Sequence, residues 1–573
     1  MRSLIKYLKR YTKECILGPL FKLLEATFEL FVPLVVAAMI DTGIASGDKG
    51  FLLRQGVLLV VLALIGLTCS ITAQYFAAKA AVHFAGDLRH RLFAHIQRLP
   101  HSQQDRLGSD TLITRMTSDI NQVQTGVNLT LRLLLRSPFI VFGAMVMACT
   151  IDLRSAGIFL GVIAALSVVV FGIMLWSIPR YKAVQQHLDK VLGATRENLS
   201  GVRVLRAFGR QRQETERFDQ RNESLTSFGL FVGRITAFMN PLTYVLVNLG
   251  LVVLLKTGAV EVDGGVLTQG QVVALVNYLS QILVELVKMA NLIINITKSW
   301  ACGNRIAQLL STPEEPLGTK QQTGEKSSDS VVFDHVSLTY ANGAAPALKD
   351  ISFHVLKNSV FGIIGGTGSG KTSVINLIPG FYQPTDGTVL VDGLSTKLWI
   401  TDSLRQRIGL VPQKANLFRG TIAENLRWGD PEATEDQLWE ALERAQAADF
   451  VRQKELGLQT MVEQGGRNFS GGQRQRLTIA RALVRQPEIL ILDDSASALD
   501  YATDAKLRKA LRELEDTTVF IVSQRTSSIR FADQILVLED GQAVGLGTHE
   551  TLLKTCPVYR EIHATQQEQE VGA

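Results

Sequence analysis

Hydrophobic and polar positions divide the chain into two halves with different periods. Up to about residue 310 the apolar residues come in long runs, and Gln55–Ala78, Ser155–Pro179 and Ile235–Leu255 contain no charge at all. A helix rising ~1.5 Å per residue needs ~20 apolar residues to cross a bilayer core, so each run is long enough to span one. Ser137–Ile151 is shorter, and Leu133–Leu135 extend it past Arg136. Ile16–Ile40 and Thr268–Thr297 are apolar apart from embedded charges. The pattern predicts six spans, at about 16–40, 55–78, 133–151, 155–179, 235–255 and 268–297.

From Val331 the apolar runs shorten to strand length: Val331–Phe333, Phe361–Ile364, Ile408–Val411, Ile489–Leu492 and Thr518–Val522, alternating with helical stretches. That alternation predicts an α/β domain. Ser311–Ser330, rich in Pro, Glu, Lys and Ser, reads as a solvated linker between the halves. The expected organisation is a membrane domain over 1–310, a linker over 311–330, an α/β domain over 331–565 and a polar tail over 566–573.

The charge pattern orients the membrane half. Met1–Lys13 holds five Lys/Arg, Lys79–Arg136 eight and Arg180–Arg234 eleven, whereas Asp41–Arg54 holds two, and Asp152–Arg154 and Lys256–Leu267 one each. Basic segments stay inside, which predicts both termini on the cytoplasmic side, and the lack of targeting sequences suits a bacterial plasma membrane. The two long basic segments lack dense Pro/Gly punctuation and read as helices running on from the spans. They break around Leu107–Asp110 and Ala207–Arg210, which are either short coupling helices at the stalk tips or ordinary turns. Met1–Lys13 has no small-residue cleavage site and is not expected to be a removable signal.

Charges inside the spans need partners or water. Lys22, Glu25 and Glu29 fall at i, i+3 and i+7 on one helix face, and Glu285 and Lys288 form a similar pair. Two readings stand. Lys22–Glu25 and Glu285–Lys288 pair internally, or the carboxylates line a path for cargo. Glu29, near mid-membrane, is the residue expected to be left over, with Glu25 beside it, to contact a small amphipathic substrate.

Composition fits one membrane half and one soluble half: 573 residues, 46% apolar, mean hydropathy +0.17. The net charge of +6 is mild and its basic residues flank apolar runs, so no nucleic-acid partner is expected. Cys15, Cys69, Cys149, Cys302 and Cys556 have no C-x-x-C spacing, so neither a structural disulfide nor a metal cluster is expected.

The chemistry lies in the α/β half. Gly365-Gly366-Thr367-Gly368-Ser369-Gly370-Lys371-Thr372, followed by Ser373, matches G-x-x-x-x-G-K-[ST] between a strand and a helix. The glycines let backbone N–H groups wrap a β-phosphate, Lys371 reaches the β/γ-phosphates and the Thr372 hydroxyl ligates Mg2+. Ile489–Asp493 is an apolar strand ending in a carboxylate suited to hold Mg2+ through water. Ser470-Gly471-Gly472-Gln473 precedes a helical run and makes a second anion site at a helix N-terminus. A second anion site beside a complete phosphate loop implies a second nucleotide, shared with another domain.

In this order and spacing the motifs resemble a half-size ATP-binding-cassette exporter over essentially the whole chain. The resemblance implies a six-helix all-α membrane domain fused to a P-loop ATPase, with ATP and Mg2+ as cofactors. It implies that Tyr340 stacks on adenine and that Gln413 senses Mg2+ and the γ-phosphate. Ser497–Asp500 becomes the loop that faces a second cassette, bringing Asp500 to the nucleotide. It also implies pairing with a second half-transporter, each phosphate loop meeting the other chain's signature. Two residues depart from the family pattern. Asp494 stands where the catalytic Glu is usual, and Gln524 where the switch His is usual. Both fall in the site built on this chain's own phosphate loop. The chain therefore resembles the degenerate-site subunit of heterodimeric multidrug exporters. A homodimeric lipid or peptide exporter and a regulatory ATP-binding membrane subunit are the alternatives.

Overall fold

The computed structural model describes residues 2–571 apart from 317, 321–326, 341–342, 344 and 496–497. Among the described residues six helices are long and apolar enough to cross a membrane: α1 Lys6–Ile44, α2 Lys49–Gln97, α3 Ser109–Ile151, α4 Leu153–Ser200, α5 Gln211–Asp263 and α6 Gln269–Leu310. Each exceeds the ~20 residues of a bilayer crossing, so each carries a polar extension. In hydrocarbon the backbone has no water to bond, and a helix satisfies its amides internally.

Helix packing here depends on small residues. Gly126 on α3 lies so close to α6 that a Cβ would stand 2.0 Å from the Ser299 Oγ and 2.3 Å from its Cβ. Ser299 Oγ also donates to the Gln122 carbonyl, 2.7 Å. At the far end of α6 the Thr268 cap and the Gly270 amide both donate to Asp41, the latter at 2.7 Å. Asp119 on α3, buried, accepts from Arg305 on α6 at 3.0 Å and from Arg115 at 2.8 Å.

The chain forms two compact units, and their boundary departs from the expected cut at 310. Arg98–Ser109 belongs with Pro313–Ala573 rather than with the membrane helices. The reason is local. The His101 ring stacks on Phe381 at 4.4 Å, and Tyr382 donates to Asp105. A short helix His101–Leu107 ends at Gly108, whose φ of +73° closes it. The second predicted break is a short helix, Val202–Ala207, ending before Gly209 at φ +62°. Part of the expected linker is docked rather than solvated: the Thr319 and Lys320 amides both donate to the Leu398 carbonyl at 3.0 Å. Residues 321–326 of that linker lie outside the described residues.

In the second unit a six-stranded sheet runs in the order Gln542–Gly547, Gln534–Glu539, Val360–Gly365, Thr518–Val522, Ile489–Asp493, Ile408–Val411. All pairs are parallel except the Gln542–Gly547 edge. Buried Phe361, Phe520, Ile491 and Leu536 join it to a four-stranded antiparallel sheet through stacked Phe333, Phe353 and Phe361, with centroids 4.5 and 5.0 Å apart. The expected polar tail from 566 is instead part of a helix, Pro557–Val571. Its Ala, Gln and Glu residues are good helix formers.

Gly126→Ala should destabilise the protein by about 1–3 kcal/mol, the usual cost of overpacking. Thermal unfolding of the detergent-solubilised chain measures it. Adding Ser299→Gly should restore most of the loss, and adding Ser299→Ala little, because the clash is with the serine Cβ as well as its hydroxyl.

Candidate nucleotide site and membrane charge cluster

The parallel strands bring four motif residues to one edge of the sheet. Gly365, Asp493, Val411 and Val522 each end a strand, so the phosphate loop, Asp494, Gln413 and Gln524 all start from the carboxyl edge, where α/β sheets bind ligands. Register fixes their neighbours: Val522 pairs with both Ile363 and Asp493.

The phosphate loop has an open rim and a closed floor. Gly366, Thr367 and Gly368 are exposed, while Ser369 and Lys371 are buried. Gly368 and Gly370 have φ of +83° and +99°, which turns successive amides inward to form an anion cradle. A Cβ at Gly365 would fall 2.2 Å from the Leu538 carbonyl, so the first position must also be glycine. Lys371 Nζ donates to the Gly365 and Gly366 carbonyls at 2.9 and 2.6 Å and approaches Ser369 Oγ at 3.4 Å. Burial lowers the Lys371 pKa, opposed by Asp494 and Asp493.

Behind the lysine, Thr372 Oγ1 lies 3.3 Å from Asp493 Oδ2. Two hard oxygens on one edge of a phosphate cradle suit Mg2+. Burial raises the Asp493 pKa, and the Thr372 hydroxyl opposes it. Asp494 follows with φ +45°, a left-handed conformation of the kind stored at functional sites. Its amide donates to the Val522 carbonyl at 3.0 Å, and its Oδ2 accepts from Gln413 Nε2 at 3.2 Å. Burial raises the Asp494 pKa, and the Gln413 bond, Lys371 and Arg525 oppose it. Gln524 is exposed beyond its strand.

Tyr340, half-buried, sets its ring edge-on to Tyr382 at 5.0 Å and its hydroxyl 2.9 Å from Ser373 Oγ. Those contacts place Tyr340 beside the phosphate-loop helix. The signature residues bond to one another. Ser470 Oγ accepts from the Gln473 amide and the Gln473 side chain accepts from the Ser470 amide, a capping box on the helix Gly471–Val484. A Cβ at Gly472 would come 3.0 Å from the Ala498 carbonyl, whereas Gly471 is open. The same helix reaches the Gln413 loop through Gln475, whose Nε2 lies 3.4 Å from the Pro412 carbonyl. Asp500 caps the helix Tyr501–Arg512, accepting from the Thr503 amide at 2.9 Å. Ser497 lies outside the described residues.

Two arginines were missed from the sequence. Arg525 acts electrostatically on Asp494 and Asp504. Arg476 donates to the Gln446 carbonyl at 2.7 Å and lies over Phe450, bracing the signature helix. Only its place inside the signature stretch marked Arg476, and only adjacency to Gln524 marked Arg525.

In the membrane unit the charges meet in one cluster. Arg136 of α3 donates to Glu285 of α6 at 2.6 Å and to Glu29 of α1 at 2.7 Å. Glu285 also accepts from Ser137 at 2.7 Å and Lys288 at 2.8 Å. Lys22 pairs with Glu25 at 2.5 Å. The expected pairs Lys22–Glu25 and Glu285–Lys288 both form, whereas the expectation that Glu29 is left over is corrected, because Arg136 takes it. Arg136, which ends the basic segment from Lys79 and lies inside the expected span 133–151, is buried at 7% exposure and serves two carboxylates that its sequence neighbours do not reveal. Glu29 keeps one side open, lining a groove of about 390 Å³ with Gln281, Glu285 and Lys288.

Comparison with known proteins agrees with this architecture. Residues 15–286 match the family described as ABC transporter transmembrane region, and residues 348–497 the family described as ABC transporter. An uncharacterised ABC transporter ATP-binding protein of Mycobacterium bovis is 37% identical over 98% of this chain and 97% of its own length. A multidrug efflux ATP-binding/permease protein of Mycobacterium bovis is 32% identical over 97% of this chain, which spans 46% of that protein. The solved structure of a bacterial Atm1-family ABC exporter with ATP bound superposes with a TM-score of 0.80 over 98% of both chains, at 23% identity. The chain belongs to the ABC transporters. It is a multi-pass membrane half-transporter of exporter fold, with membrane region and cassette fused, and a transport ATPase.

Arg136→Met should cost roughly 3–5 kcal/mol, because it leaves buried Glu285 and half-buried Glu29 short of a cation. Combining it with Glu285→Met should recover part of that loss in thermal unfolding, since an apolar replacement of a buried pair is often near neutral. A double variant no more stable than the single one would show that the charges are not coupled.

Proposed function

We propose that this protein is one half of an ATP-driven exporter that moves amphipathic compounds, drugs or lipids, out across the plasma membrane. Its partner is a second half-transporter. Each chain's phosphate loop faces the other's signature, and this chain's own ATP site is the weaker of the two. The observation that carries the reading is the pairing of Asp494 with Gln413 at the carboxyl edge, in the place where a longer Glu is usual.

Asp is shorter than Glu by one methylene, about 1.5 Å. A displacement of about 1 Å in a catalytic group can lower the rate about 10²-fold. Gln524 can donate a hydrogen bond to a γ-phosphate but carries no positive charge there. The signature box Ser470–Gln473 is complete, which supports its service to a partner's nucleotide. The multidrug efflux relative, of which this chain spans 46%, supports two such halves acting together.

In this reading Lys371 and the loop amides hold the phosphates, and Tyr340 takes the adenine. Thr372 and Asp493 hold Mg2+, with Gln413 beside them. When bound, the ion neutralises charge on the β- and γ-phosphate oxygens. Asp494 orients the attacking water weakly, so this site binds ATP longer than it turns it over. The Lys/Arg asymmetry of the loops supports cytoplasmic termini.

The purified chain alone should hydrolyse ATP slowly, and the co-expressed pair should be active. Within the pair, Ser470→Ala or Gly472→Val should abolish drug-stimulated ATPase activity and vesicle uptake, while Asp494→Asn should lower them less than about threefold. Fast turnover by the isolated chain that requires Lys371 would sink the degenerate-site reading and favour a homodimer. Equal losses from the two kinds of variant would do the same.

A further inference from the structure

The segment after the strand Thr518–Val522 is held from an unexpected direction, the last helix, Pro557–Val571. This helix lies beyond residues 348–497, the part that matches the cassette family. Gln566 Nε2 donates to the Gln524 carbonyl at 2.7 Å. Its Oε1 accepts from the Thr526 amide at 2.8 Å and from the Thr526 hydroxyl at 3.0 Å. One side-chain amide thus bonds the carbonyl before and the N–H after Arg525, as a neighbouring strand would. His563, three residues earlier and so on the same helix face, sets Nδ1 3.0 Å from the Thr526 hydroxyl. A hydroxyl that donates to Gln566 can accept from His563 in the tautomer that carries its hydrogen on Nδ1, and the three side chains then form one chain of bonds.

The surroundings make the clamp rigid. Thr526 and Ser528 are 3% and 1% exposed, and Tyr559, on the same last helix, is fully buried. Tyr559 OH bonds His549 Nδ1 at 2.7 Å, and His549 packs edge-on against His563 at 5.2 Å. From the other side Arg508 donates to the Ser527 carbonyl at 2.6 Å. The backbone from the Gln524 carbonyl to Ser527 is thereby fixed, while the Gln524 side chain remains exposed at the carboxyl edge of the sheet.

We infer that Gln566 is a positioning residue for the nucleotide site: it fixes the backbone at Gln524, so that the Gln524 side chain meets the γ-phosphate, and makes the last helix part of ATP sensing. The inference rests on the proposed role of Gln524. A neutral Gln has no long-range attraction to phosphate, so its contact depends on orientation more than a charged His would. The clamp supplies that orientation.

The test compares Mg·ATP with Mg·ADP affinity in the full-length chain in nanodiscs, by competition against a fluorescent nucleotide. Gln566→Met, similar in size but unable to bond, should reduce the preference for ATP over ADP about tenfold, the value of one hydrogen bond to a charged group. ADP affinity and the unfolding temperature should not change. Gln566→Glu keeps acceptors for Thr526 but loses the donor to the Gln524 carbonyl, so it should fall with Gln566→Met. Gln524→Ala should lose the same ATP preference, and Gln566→Met should add nothing to it. If Gln524→Ala lowers the preference and Gln566→Met does not, the inference is overturned and the role of Gln524 stands. If Gln524→Ala leaves the preference intact, both fall. An equal loss of ATP and ADP affinity with a lowered unfolding temperature reduces Gln566 to a structural contact and also overturns the inference.

Discussion

A charge placed among apolar helices must find a partner, and in the membrane half that constraint settles on Arg136. Its guanidinium joins α1 through Glu29 and α6 through Glu285, while Ser137 and Lys288 complete the shell of Glu285. An isolated ion there would cost several kcal/mol, so three helices that share little sequence pattern are obliged to meet at one depth. The close approach of Gly126 to Ser299 and the Arg305 bonds to Asp119 hold the same α3–α6 pair further along. Helix association in lipid has no hydrophobic drive between apolar surfaces, so such polar and small-residue contacts carry the specificity.

The cassette half is organised by a different constraint, the direction of its strands. Parallel pairing sends every strand's carboxyl end to one edge, and there the phosphate loop, Asp493, Asp494 and Gln413 converge. Burial disfavours charge on Lys371, Asp493 and Asp494 alike; the lysine and the carboxylates partly offset that cost for one another, while Asp494 adds to the cost at Asp493. Asp494 sits in a left-handed conformation, held by its amide bond to Val522 and its side-chain bond to Gln413. Its carboxylate is thus fixed by backbone strain and by the Gln413 loop together.

Much of this was legible in the chain. Charge-free runs of ~20 residues have one physical outcome in lipid, and the phosphate loop needs its glycines and lysine at fixed spacing in contiguous sequence. What escaped was non-local. Arg136 falls inside an expected span, but its role stays hidden because its two carboxylates lie 107 and 149 residues away in sequence. Residues 98–109 were assigned to the membrane half by position, but an aromatic stack with Phe381 places them with the cassette. The last residues read as a tail in sequence because Gln and Glu are polar. The same residues are good helix formers, and one of them reaches the backbone at Gln524.

Six membrane helices, a nucleotide-gripping α/β domain, and the departures of Asp494 and Gln524 from the family pattern could all be read from the linear chain. Each of these depends on local chemistry, run length or fixed motif spacing, which a linear chain displays. The fold alone settles that Arg136 serves Glu29 and Glu285, where the boundary between the units falls, and that the last helix grips the segment at Gln524. Those depend on pairings between residues far apart in the chain, whose partners are chosen by packing and by the need to satisfy buried polar groups.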